Sequence, residues 1–200
     1  ICKSSLVSLK HTKNSAMNDL LLYFTLGLRH VLDVTAYDHI LFLIVLTVIF
    51  SFRQWKKVVW LLTFFTIGHT ITLALAAFSI IGIRIDIVEF LIPVTIGITG
   101  LFNILRATEA SMGKVKISLI FSLSFGLIHG LGFSNYFKLM IGKEEDKILP
   151  LLEFALGIEA AQIIIVVAVL LLGMLMKSFF KVPKRDWILV CSAVVIGVVI

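Results

Sequence analysis

Hydrophobic residues fill most of the chain and are interrupted at intervals by short polar segments. This pattern predicts seven apolar helices. They occupy residues 19–33, 38–52, 58–81, 87–105, 117–141, 148–176 and 187–200. The segments between them are too short to hold another domain, so we expect a single transmembrane helical domain over residues 19–200 after an N-terminal tail of residues 1–18. The predicted fold class is all-α, a polytopic helical bundle in a membrane.

Composition excludes a soluble protein. Hydrophobic residues make up 60% of the 200 residues, charged residues make up 15%, and the mean hydropathy is +1.08. Lipid is therefore the expected surrounding, and no nucleic-acid partner is indicated. The two cysteines, Cys2 and Cys191, are far apart in the sequence and form no thiolate motif. Residues 1–16 lack the apolar core of a secretory signal, so Met17 is the expected natural start.

Charged residues between the segments predict the topology. Basic residues concentrate in the tail and in the loops at residues 53–57, 106–116 and 177–185, whereas the loops between these are neutral or acidic. The positive-inside rule then predicts seven spans with a cytoplasmic N-terminus and an outer C-terminus. The first segment is the exception, because its fifteen residues would cover about 22 Å of a 30 Å core. A bundle of six spans therefore remains an alternative.

Polar residues within the segments gather at one depth. In the predicted topology, parts of five segments lie at a comparable depth in the membrane. They are the end of the first segment, the start of the second, the middle of the third and the outer halves of the fifth and sixth. These residues are His30, Asp33, Asp38, His39, His69, His129, Ser134, Glu159 and Gln162. Since ionisable groups are costly in hydrocarbon, their convergence predicts a cavity that opens to the extracytoplasmic side.

The chemistry of this set favours a divalent metal. Imidazole and carboxylate suit nickel, zinc or iron, and the absence of thiolates argues against copper(I). The expected metal ligands are His30, Asp38, His39, His69 and His129. The expected supporting residues around them are Asp33, Thr70, Ser134, Glu159 and Gln162. A carboxylate beside a histidine can also hold the second ring proton, which would give Asp38 a supporting role instead.

Small residues accompany the two central histidines. Gly68 precedes His69, and glycines lie on both sides of His129. Small residues let helices approach closely, so each imidazole is expected at a helix contact and not in lipid. The structural alternative is that the histidines only hydrogen-bond across the bundle.

Five runs of residues resemble the HupE/UreJ family of small bacterial membrane proteins. They are 27–33 (GLRHVLD), 37–43 (YDHILFL), 65–73 (FTIGHTITL), 126–133 (GLIHGLGF) and 154–159 (FALGIE). The resemblance implies a polytopic bundle in the bacterial inner membrane. It also implies a nickel permease, since members from hydrogenase and urease systems are regarded as such. The family's histidine-and-aspartate motif maps onto His30, Asp38 and His39.

Two features differ from the nickel members. The spacing from His30 to the Asp38-His39 pair is longer, and a second histidine near His129 is missing. The resemblance thus implies the positions of the site, whereas the identity of the metal stays open.

Three functions are compatible with these residues. The first is a divalent-cation permease with its site open to the outside, and it is the one that the resemblance favours. The second is an intramembrane metal-dependent hydrolase of a lipid or membrane-embedded substrate, with Asp38 or Glu159 as the general base. The third is a structural subunit of a membrane complex. The sequence also leaves a homo-oligomer open.

Overall fold

Seven α-helices make up most of the residues that the structure, a computed structural model, describes: 21–35, 37–82, 84–108, 115–142 and 147–200. In chain order they are α1 (Leu21–Leu32), α2 (Asp38–Thr47), α3 (Trp55–Ala77), α4 (Ile85–Leu105), α5 (Val115–Ile141), α6 (Ile148–Phe179) and α7 (Lys184–Val199). The all-α class is confirmed. The tail predicted for residues 1–18 lies outside the described residues.

Four helical stretches are long and apolar enough to cross a membrane. They are Phe52–Ala77, Ile85–Leu105, Ile117–Ile141 and Ile148–Phe179. By contrast, α2 has 10 residues and so extends about 15 Å, half of a hydrocarbon core. The chain is thus a membrane helical protein with four long candidate spans among its described residues. Seven full crossings and the cytoplasmic N-terminus remain predictions.

The second apolar segment ends earlier than its hydropathy indicates. Residues 48–52 were expected to continue the helix, but α2 ends at Thr47 and a 3₁₀ turn follows at Phe52–Gln54. A capping box lies at the start of this turn, where the backbone N–H of Ser51 donates to Gln54 Oε1 at 3.1 Å. This pairing starts the next helix within an apolar run. The hydrophobic pattern alone therefore overestimates the length of α2.

Helices α3 and α5 pack closely because glycines line their contact. A Cβ added at Gly126 would collide with the backbone carbonyl of Phe65, and one at Gly68 would lie 2.6 Å from the carbonyl oxygen of Leu123. Only glycine permits this separation. The close contact brings the middle of α5 against the middle of α3.

Helices α1 and α6 approach each other in the same way. Added Cβ atoms at Gly27 and Gly157 would collide with the backbone carbonyls of Phe154 and Phe24, respectively. Near the end of α3, the carbonyl oxygen of Ala77 accepts a hydrogen bond from Lys147 Nζ, which lies just before α6, at 3.0 Å. The end of α3 and the start of α6 therefore lie at the same edge of the bundle, so these two helices run antiparallel.

Candidate metal centre

Four helices each contribute one histidine to the interior of the bundle. His30 lies near the end of α1 and His39 near the start of α2, while α3 carries His69 and α5 carries His129. Between α1 and α2 the chain reverses through a short turn. There, Asp33 Oδ1 accepts hydrogen bonds from the backbone N–H of Thr35 at 2.9 Å and from its hydroxyl at 2.7 Å. This Asx-type turn brings His30 and His39 together.

Three of these histidines can share one ion. One ring nitrogen from each of His30, His39 and His69 lies within 4.8 Å of the others, and we call these residues the histidine triad. Three nitrogens bound tetrahedrally to one ion at about 2.1 Å are about 3.4 Å apart. The ring nitrogens therefore need to approach one another by up to about 1.4 Å. Rotation of the side chains can supply a movement of this size.

His129 lies beside the triad. Its ring centroid is 3.9 Å from that of His39 and 6.3 Å from that of His69. The glycine contact between α3 and α5 produces this arrangement, since Gly130 packs directly on the backbone of His69. We call the triad and His129 together the histidine cluster. It draws on four helices, as the sequence predicted.

The ring nitrogens of the cluster are buried without partners. His69 is fully buried, and His39 is 2% exposed. Both nitrogens of His39 and His69, Nε2 of His30 and Nδ1 of His129 have no hydrogen bond to any described residue. A buried polar atom without a partner costs about 1–3 kcal/mol. Side chains that only joined helices would be hydrogen-bonded across the bundle, so this arrangement instead fits nitrogens that await a ligand.

Phenylalanines surround the cluster. The ring of Phe133 lies 4.0 Å from that of His30, and the ring of Phe125 lies 4.8 Å from that of His129. Phe65 and Phe154 pack against His69 at 5.8 Å and 6.2 Å. These apolar walls keep water from the imidazoles and strengthen any charge interaction made there. The sequence analysis did not single out these rings.

The aspartates lie at the edge of the centre. Asp38 opens α2 and is half-buried, whereas Asp33 is exposed in the turn. The group of converging ligand atoms consists of the histidine triad and includes neither aspartate. Coordination by Asp38 therefore stays a prediction. For Asp33, the hydrogen bonds to Thr35 indicate that it shapes the α1–α2 turn.

The other predicted supporting residues occupy different surroundings. Ser134 Oγ donates to the carbonyl oxygen of Leu131 in its own helix, and Thr70 is half-buried next to His69. Glu159 accepts a hydrogen bond from Thr63, a residue that the sequence analysis did not single out. A signal for it existed, because Thr63, Thr66 and His69 follow one another at intervals of three on α3.

The fold and the centre define a class: a polytopic helical membrane protein with buried histidines that can hold a metal ion. Within that class, a family model described as HupE / UreJ protein matches residues 7–200, and the chain belongs to the HupE/UreJ family. The resemblance stated from the sequence is thereby confirmed. Searches of curated proteins and of solved structures found no match.

Proposed function

We propose that this protein is a divalent-cation permease of the nickel type, which receives its ion from the extracytoplasmic side of a bacterial inner membrane. The ion is the substrate, and the histidine triad is its binding site. His129 lies against the triad and completes or supports the coordination. Asp38 contributes a carboxylate at the outer edge.

One observation carries this proposal. Three imidazoles from three helices bring ligand nitrogens within 4.8 Å of one another, and these nitrogens are buried without hydrogen bonds to described residues. Nitrogen donors of this kind bind nickel, zinc and iron. Ligands on several short or separate helices can also be pulled apart when the helices move, as alternating access requires.

Metal-dependent hydrolysis is the second candidate. Three histidines with an open fourth position are a familiar ligand set of catalytic zinc, which supports this alternative. The phenylalanine rings that contact His30 and His129 leave little space for a lipid substrate next to the imidazoles. This packing makes the hydrolase the less favoured of the two.

Uptake into proteoliposomes tests the proposal. Vesicles with the purified full chain and an internal metal-sensitive dye are exposed to Ni²⁺, Zn²⁺ or Fe²⁺. We expect entry of at least one ion, and we expect His39→Ala to abolish it. His11→Ala is the matched control, since it removes a histidine from the predicted tail and should leave uptake unchanged. Uptake by His39→Ala at the rate of the unaltered protein would refute the permease.

A further inference from the structure

Four polar side chains meet where α3 packs against α6. Thr63 Oγ1 donates to Glu159 Oε1 at 2.7 Å, and Thr66 Oγ1 donates to Gln162 Oε1 at 3.3 Å. Residues three apart on a helix share a face, so both threonines and both acceptors lie along one contact line. We call these four residues the α3–α6 polar cluster. All of its side chains offer oxygen atoms.

The α3–α6 polar cluster lies next to the histidine cluster along α3. At 1.5 Å per residue, Thr66 is about 4.5 Å and Thr63 about 9 Å from His69 along the helix axis. Both threonines lie toward the N-terminal end of α3, where Arg53, Lys56 and Lys57 mark the cytoplasmic side in the predicted topology. The two clusters thus form a series of polar side chains that extends from the histidines toward the cytoplasmic side.

The burial of this cluster indicates a ligand beyond its own hydrogen bonds. Gln162 is fully buried, and its Nε2 has no partner among the described residues. Half a turn of the amide exchanges its nitrogen and oxygen, after which Nε2 can donate to Thr66 and Oε1 becomes the free atom. Glu159 adds a carboxylate near the middle of a membrane helix, where a charge is costly unless it has a function or a partner.

We infer that the α3–α6 polar cluster is a second binding site for the divalent cation, with oxygen ligands from Glu159, Thr63 and Gln162. The inference rests on the proposed permease, since it supplies the step after the histidine cluster. Nickel and zinc bind imidazole well, whereas oxygen ligands also suit harder ions such as Mn²⁺. A weaker oxygen site beside a nitrogen site lets the ion leave the imidazoles in stages, as conduction through successive sites requires.

Manganese binding tests this site without any transport. The purified full chain in detergent is titrated with Mn²⁺ and followed by electron paramagnetic resonance. We expect the protein to bind one equivalent of Mn²⁺ weakly, and we expect the His39→Ala variant to retain this binding. In Glu159→Gln its affinity should fall by about tenfold or more, since this change removes the charged ligand but keeps the shape.

Two further variants make the result specific. Glu89→Gln is the matched control, because it removes the same charge from an exposed position on α4 and should leave the weak equivalent unchanged. Glu159→Asp keeps a carboxylate and should restore part of the affinity, which separates loss of a ligand from loss of folding. The inference is overturned when the unaltered protein has no weak equivalent, or when Glu159→Gln binds Mn²⁺ as the unaltered protein does.

Uptake then distinguishes this inference from the proposed function. In proteoliposomes, Glu159→Gln should keep tight Ni²⁺ binding but take up the ion at least about tenfold more slowly. Unchanged uptake by Glu159→Gln would remove the second site and leave the permease intact. Absence of Ni²⁺ binding at the histidines in the unaltered protein would instead refute the permease, while the Mn²⁺ titration of His39→Ala would still report on the oxygen site.

Discussion

The imidazole rings of His39 and His129 lie 3.9 Å apart between centroids, with 55° between their planes. His39 belongs to the short helix α2, and His129 belongs to the middle of α5. No local sequence relationship connects them, so helix packing alone creates this contact. Disturbing that packing should therefore affect the metal centre even where no ligand is changed.

Gly126→Ala should destabilise the protein and weaken metal binding. The new Cβ would collide with the backbone carbonyl of Phe65, which cannot move as a flexible side chain would. Overpacking of this kind costs about 1–3 kcal/mol. Thermal unfolding in detergent should show a lower melting temperature, and a Ni²⁺ titration should show a weaker site, because α5 carries His129.

Gly97→Ala is the control for this change. Gly97 lies in α4, and a Cβ added there has no described heavy atom within 4 Å. The same substitution should therefore leave the melting temperature nearly unchanged. Equal losses in both variants would mean that the α3–α5 contact is looser than described.

Asp33 should act mainly through the turn geometry. Its Oδ1 accepts both hydrogen bonds from Thr35, and an asparagine oxygen can accept the same two bonds. Asp33→Asn should thus retain Ni²⁺ affinity, whereas Asp33→Ala should weaken it about tenfold because His30 and His39 lose their alignment. Isothermal titration calorimetry compares the two variants. A loss of affinity in Asp33→Asn equal to that in Asp33→Ala would assign the effect to the charge.

Much of the fold could be predicted because hydrophobic segments in a membrane protein are long and separated by charges. The seven helices follow the seven apolar segments, and the four histidines converge as their predicted depth required. Glycines beside His69 and His129 correctly indicated close helix contacts. These signals are local, in that each depends on residue type and spacing within one segment.

The remainder depends on contacts between segments. The sequence did not reveal that Thr63 would meet Glu159, because that pairing depends on the antiparallel approach of α3 and α6. It also did not separate the histidine triad from Asp38, since both lie at the same predicted depth. Finally, hydropathy treats residues 38–52 as one apolar segment, whereas α2 ends at Thr47 and the Ser51–Gln54 capping box starts a separate 3₁₀ turn.

Asn103→Leu should weaken the packing of α2 against α4. Asn103 is buried, and its Nδ2 donates to the carbonyl oxygen of Val45 at 2.6 Å, close to the end of α2. That carbonyl lies in the last turn of the helix and would lose its partner, so we expect a loss of about 1–2 kcal/mol. Thermal unfolding measures it. Thr95→Val is the control, because among the described residues the Thr95 hydroxyl donates to carbonyl oxygens of its own helix, so its loss should be smaller.

The four histidines should differ in their importance for metal binding. His30, His39 and His69 supply the converging nitrogens, whereas His129 lies outside that group. Alanine at any triad position should lower Ni²⁺ affinity by at least about a hundredfold, since even supporting residues of a metal site are worth about ten- to a hundredfold. His129→Ala should lower it by only about tenfold. Elemental analysis after dialysis and calorimetric titration measure the two effects. If His129→Ala lost the metal while His30→Ala retained it, the binding site would have to be assigned to the contact between α2 and α5 instead.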